Sequence, residues 1–194
     1  MSDLRVSRNV VDANVQTELD EFFTRYAEKA NDAAFVSRLR DELLVHATLK
    51  LVWKSVDIYA DDIVLRASLR HATSWQFMVY AVTFVDGEIR NGGFHQLFFN
   101  STGILVEDAR QGLIALGENV RADLITRAAS KFKNGIVPKD RGVRVEALER
   151  FNFESEWCPF AEPLETEYYA LEEASPLGAV CARFIEANPD AFFR

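Results

Sequence analysis

From about residue 11 to the C-terminus, apolar side chains return every three or four positions, a spacing that can bury them only if the chain folds as packed helices. Val15, Leu19, Phe22, Phe23 and Tyr26 form one such stripe over about residues 11–29. Val36, Leu39, Leu43, Ala47 and Leu51 form the next, with Asn31 or Asp32 placed to cap it. A weaker helix follows across Asp61–Arg70. Residues 74–85 are apolar on all sides, a pattern open to either a buried helix or a buried strand, and the helical neighbours favour helix. Asn91-Gly92-Gly93 predicts a turn, followed by a short aromatic segment from Phe94 to Phe99. Leu105, Ala109, Leu113 and Leu116 lie on another stripe, and Val120, Leu124, Ala128 and Phe132 on one more. Gly135 and Pro138 mark a break, 139–150 a further helix, and 151–163, with Pro159 and Pro163, an irregular connection. Two helices close the chain over about 164–173 and 177–187, the second with Leu177, Val180, Cys181 and Phe184 on one side. The fold class is all-α, a multi-helix bundle.

Fifteen phenylalanines in 194 residues supply enough apolar area for a substantial core. The longest apolar run, Phe77 to Val85, is interrupted by Thr83 and far too short to span a bilayer. The first twenty residues have no apolar stretch before a cleavage site, and the two cysteines, Cys158 and Cys181, make no disulfide framework. A cytoplasmic setting is expected, without a membrane. Charge is unevenly placed. Residues 146–194 carry 3 Arg against 11 Asp and Glu, which accounts for the whole net charge of −8, while residues 1–145 balance. An acidic interaction surface is the expectation, and direct nucleic-acid binding, which needs a basic footprint, is not.

Chemical candidates are few. His46, His71 and His95 have neither HxxxH nor HExxH spacing, and Glu42 with His46 reads as a solvated i, i+4 pair. Asp61 and Asp62 suit a helix start. Cys181 lies on an apolar stripe, and Cys158 has no base beside it to make a thiolate. No phosphate-binding glycine loop and no GxSxG elbow occur. No cofactor, metal or catalytic residue is assigned, and the chain is not expected to be an enzyme. The densest local pattern is Glu88-x-x-Asn91-Gly92-Gly93-Phe94-His95-Gln96-x-Phe98-x-Asn100. A structural reading has the glycines turning the backbone and Phe94 and Phe98 burying one face. A functional reading has Glu88, Asn91, His95 and Gln96 converging on a ligand.

The same run resembles the signature of a small bacterial all-α family whose best-described member is a DNA mimic. Ala115-Leu116-Gly117, the Asp140-Arg141-x-x-Arg144 pattern after Pro138, Glu167-Tyr168-Tyr169 and the closing Phe184-Ile185-Glu186-Ala187-Asn188 with Phe192 are similar in the same order. The similarity covers about residues 73–194, so the chain divides into an N-terminal helical extension, 1–72, packed on a family-like domain, 73–194. The resemblance implies a protein that sets carboxylates where DNA would set phosphates, about one charge per 1.7 Å of duplex axis. Its partner would be a basic protein such as a DNA-binding transcription factor, and a homodimer is compatible with it. On a helix from Leu164, Glu165 and Glu172 are nearly eclipsed, with Glu162 and Glu173 flanking them, so these four are the expected partner-binding acidic face. The alternatives are an interaction or structural protein of the same fold without mimicry, and an enzyme using the Glu88/Asn91/His95/Gln96 segment.

One consequence is open to measurement directly. If Phe98 anchors the core, Phe98→Ala costs about 3–5 kcal/mol in a denaturant melt. A variant melting with the wild type would place the segment on the surface.

Overall fold

The computed structural model describes residues 33–193, so the helix expected over 11–29 and its neighbouring cap at Asn31 or Asp32 lie outside the described residues. Among those described there is no strand, and nine helices follow one another. They are α1 (Ala33–Ser55), α2 (Asp62–Ser68), α3 (Ser74–Phe99), α4 (Val106–Ala115), α5 (Asn119–Ala129), α6 (Arg141–Leu148), α7 (Cys158–Ala174), α8 (Leu177–Ala187) and α9 (Pro189–Phe192). The all-α bundle read from the periodicity is the observed fold. No helix among the described residues is long and apolar enough to cross a membrane.

α3 is the hub. Its ambiguous apolar run is helix, and its core residues Val79, Ala81, Val82, Val85, Ile89, Phe94, Leu97 and Phe98 are all buried. Packing against α4 on one side and α1, α6 and α7 on others explains why every side of it had to be apolar. Its start is fixed by a capping box: Gln76 donates its amide to Thr73 Oγ1 at 3.1 Å, and Gln76 Oε1 accepts from the Thr73 amide at 2.9 Å. The buried Gln76 side chain then donates to the Phe192 carbonyl at 3.0 Å, joining α3 to the end of the chain.

The turn expected at Asn91-Gly92-Gly93 is instead a kink inside α3. Gly93 takes φ +70° and ψ −171°, which only glycine adopts readily, and the helix resumes at once with Phe94. The Phe94 amide finds its acceptor on another helix, donating to Glu165 Oε1 of α7 at 2.8 Å. Glu165 thus serves the second half of α3 as a capping carboxylate serves a helix start.

Two other expectations are corrected. The buried side of α1 is Leu44, Val45, Thr48, Leu49 and Val52 together with Leu39, whereas Leu51 is 63% exposed. Apolar residues occupy more than one side of α1, and docking on α8 and α3 selects the stripe one residue, about 100°, round from the expected one. The connection expected over 151–163 is mostly helical. Asn152 caps a π turn, Phe153–Trp157, and α7 begins at Cys158 with Pro159 in its first turn, where a missing N–H costs nothing. Pro163 lies within α7.

Periodicity also gives no sign that Arg144 is fully buried. Its guanidinium donates to five carbonyl oxygens: Phe98 (3.1 Å), Asn100 (2.8 Å), Ser101 (3.4 Å), Pro138 (2.9 Å) and Lys139 (2.6 Å). It therefore ties the frayed end of α3 to the loop before α6. Gly103 makes room, since a Cβ there would lie 2.5 Å from Arg144 Nε.

Gly93→Ala is expected to cost at least about 1–3 kcal/mol from the backbone alone. Its Cβ would also stand 2.1 Å from Glu165 Oε1. Urea melts measure the loss, and a variant as stable as the wild type would show that the kink does not need glycine.

Candidate partner-binding surface

α7 was expected to turn Leu164, Tyr168 and Leu171 inward and four glutamates outward. Leu164 and Tyr168 are buried, with Ala161, and Leu171 is half-buried against the core. The glutamates divide. Glu162 and Glu173 are exposed, eleven positions and about 16 Å apart on one side of the helix. Glu165 is turned in to the Phe94 amide. Glu172 accepts from the Leu177 amide at 2.9 Å, at the start of α8, and pairs with Arg121 at 3.3 Å and Arg90 at 3.6 Å. The expected row of four does not form. Residues beside the buried stripe of a helix lie against its neighbours, and here those neighbours present amides and guanidinium groups that need an acceptor.

Behind Glu172 lies a buried polar cluster that periodicity misses. Arg121 is 1% exposed, bonded to Glu118 and to the Ser175 carbonyl, with its guanidinium 5.9 Å from the Tyr168 ring. Tyr168 donates its hydroxyl to Asp86 Oδ1 at 3.0 Å, and Arg90 Nε lies 3.0 Å from Asp86 Oδ2. Burial pushes the Asp86 carboxyl up to about 6, with Arg90 opposing the shift. The Tyr168 hydroxyl and the Cys181 thiol are also pushed up by burial, the thiol to about 12. A sequence signal existed only for the Arg90–Asp86 pair, at i, i+4, and the Arg121–Glu118 pair, at i, i+3.

Asp86, Arg90 and Glu172 form part of the wall of an open groove of about 1130 Å³. α1 supplies its opposite wall, and the C-terminus of α7 and the first turn of α8 close its end.

The Glu88-to-Asn100 motif is a bracket across the kink. Glu88 accepts from Gln96 Nε2 (2.7 Å), Asn100 Nδ2 (2.9 Å) and Thr102 Oγ1 (2.7 Å). Phe94 and Phe98 are buried, as the structural reading requires, while Asn91 and Gly92 are exposed. His95 sits apart among rings, 4.9 Å from Phe153, 5.6 Å from Trp157 and 6.0 Å from Phe99, and burial lowers its pKa. No hydrogen bond joins His95 to Glu88 among the described residues, so the two do not meet as an acid–base pair.

The bases are largely consumed. Arg40, Arg66, Arg90, Arg110, Arg121, Arg127, Lys139 and Arg150 are in ion pairs, Lys131 lies over Phe151 and Phe160, Arg141 over Phe99, and Arg144 is sealed among carbonyls. Exposed carboxylates with neither a basic partner nor a backbone amide to accept from remain among the described residues at Glu42, Glu149, Glu154, Glu162, Glu173 and Asp190, while Arg38, Lys54, Arg70, Lys133 and Arg183 are exposed bases in no ion pair there. Glu154 and Glu162 gather with Glu165 round Cys158, whose thiol is pushed up by burial and then by their charge.

A family model described as DMP19-like protein matches residues 70–188, more than half of the chain. No curated protein and no solved structure matches it.

Asp86 gives the cluster a pH signature. Its folded-state pKa lies above the unfolded value, so the fold binds this proton more tightly, and the stability gained below the unfolded pKa is lost as pH rises through about 6. Asp86→Asn keeps an acceptor for Tyr168 and cannot ionise. Its stability relative to the wild type is expected to be higher at pH 7 than at pH 4, by about 1–3 kcal/mol. Equilibrium melts at the two pH values measure this, and a constant difference would refute the assignment.

Proposed function

The chain belongs to the DMP19-like protein family, and on that premise we propose that it is a protein-binding module acting as a DNA mimic rather than an enzyme. Its acidic surface occupies the DNA-binding face of a basic partner such as a transcription factor. The observation that supports this reading is the balance of charges: most of the described bases are spent on ion pairs, ring contacts or carbonyls, and carboxylates without such partners are left in solvent. Glu162 and Glu173 of α7 belong to these carboxylates, joined by Glu154 from the π turn, Glu42 from α1 and Asp190 from α9. Glu165 and Glu172, engaged internally, hold α7 in position and do not face the partner. Two exposed carboxylates about 16 Å apart do not match the phosphate density of duplex DNA, so the mimic surface draws on several elements.

A rival reading, association without mimicry, draws on the exposed apolar side chains Phe153, Ile136 and Val143, 52%, 68% and 52% exposed. Salt separates the two, because attraction between exposed charges is screened and apolar contact is not. The experiment is capture from native cell extract on the immobilised full-length protein, at low and high salt. DNA-binding proteins are expected on the matrix at low salt, released by added duplex DNA, and depleted on Glu154→Lys/Glu162→Lys, which should melt like the wild type. Capture that ignores salt, duplex DNA and both substitutions would overturn mimicry.

A further inference from the structure

The groove between α1 and the α7–α8 corner has a floor and a rim of different chemistry. Val45 and Leu49 of α1 and Leu177 of α8 lie buried beneath its floor, whose open apolar surface comes from Tyr169 of α7 and Pro176 just before α8. Trp53 closes one end, 46% exposed, with its ring 4.6 Å from Phe84 and 5.7 Å from Tyr80. Core contacts thus hold the indole in place while part of it stays open. The α1 residues in the groove, at positions 37, 38, 41, 42, 45, 46, 49 and 53, lie on one side of the helix over successive turns. The groove therefore follows α1 for about 24 Å. That length, with a volume of about 1130 Å³, suits a peptide segment better than a compact small molecule.

Its rim is acidic once internal pairs are removed. Asp86 and Glu172 are both engaged by Arg90, and Glu172 by Arg121 as well. Asp41, Glu42 and Glu173 remain, with Arg38 facing them from α1 and with Arg183 and the Glu186-paired Arg40 close enough to act on Asp41. None of these three carboxylates makes an ion pair among the described residues. Charge and shape thus call for the same occupant, apolar on one side and cationic on the other.

We infer that this groove takes a basic amphipathic helix of the partner protein, its apolar side on Trp53, Tyr169 and Pro176 and its arginines or lysines at Asp41, Glu42 and Glu173. Helix-in-groove recognition uses this division of labour, apolar anchors for affinity and rim charges for orientation. Trp53 offers a ring face to a cation at the far end. The identity of the occupant as a partner segment rests on the binding function proposed above, but the site is distinct from the Glu154/Glu162 end of α7.

The test uses the full-length protein and a fluorescein-labelled synthetic peptide of about 16 residues, long enough to follow the groove. Leucines recur along one side and arginines along the other. A scrambled peptide of the same composition keeps the charge and loses the amphipathic face. The ordered peptide is expected to bind tighter than the scrambled one by fluorescence anisotropy. Asp41→Asn/Glu42→Gln/Glu173→Gln should weaken it about tenfold. Ala179→Phe, which places a ring in the groove from α8, should weaken it too, with circular dichroism confirming that both variants fold. Equal binding of the two peptides, or full binding to both variants, would overturn the proposal. So would a dimer in sedimentation that these same substitutions dissolve, which would assign the groove to a second copy of the chain. If no peptide binds while extract capture still depends on Glu154 and Glu162, the groove assignment fails alone. If the peptide binds as expected but no DNA-binding protein is captured, the groove stands and the mimic function fails.

Discussion

The bond from the Phe94 amide to Glu165 is the constraint on which the rest of the structure depends. A kink in a long central helix turns an amide away from its own ladder, and inside a protein such a donor must find an acceptor or cost about 1–3 kcal/mol. Glu165 supplies that acceptor from α7, so the direction of α3 after the kink and the position of α7 are settled together. Glu88 closes the same bend from within, holding Gln96, Asn100 and Thr102. Arg144 then gathers the carbonyls that α3 leaves open at its end. Each of these groups is charged, and each is fixed by the backbone it serves.

That arrangement decides what the surface can do. Charges recruited to kinks, caps and helix ends are withdrawn from recognition, and arginines are withdrawn more completely than glutamates. Arg121 and Arg144 are buried outright, and half of the exposed bases among the described residues face a carboxylate or a ring. The negative balance of the last quarter of the chain is therefore displayed mainly by carboxylates with no structural duty. The acidic character of the protein follows from where its bases are spent as much as from how many acids it has.

The Asp86 cluster stands between the core and the groove. Its tyrosine, two arginines and three carboxylates, Asp86, Glu118 and Glu172, link α3, α5 and α7 to the first turn of α8 through hydrogen bonds and ion pairs. Groups so placed give the groove a rigid wall, because Asp86, Arg90 and Glu172 each have their rotamer set by more than one partner. The opposite wall is a single helix face of α1, whose free carboxylates have no such partner among the described residues.

Much was legible before any coordinates. Helical periodicity identified the fold class and nearly every element, since the 3.6-residue repeat is a local property of the chain. The motif at Gly93 announced both a special backbone conformation and two buried rings, since glycine and phenylalanine have few other uses in such a pattern. Three things were decided only by tertiary structure. Which stripe of α1 is buried depended on α3 and α8, because its apolar residues allow more than one choice. Pro159 and Pro163 looked like breakers until a π turn led into a helix that holds both. Glu165 and Glu172 carry the same carboxylate and lie on the same helix as Glu162 and Glu173, yet only the latter pair faces solvent. A glutamate's role depends on whether an orphan amide or a buried guanidinium stands within about 3 Å of it, and that distance is set by chain segments up to 71 residues away in sequence.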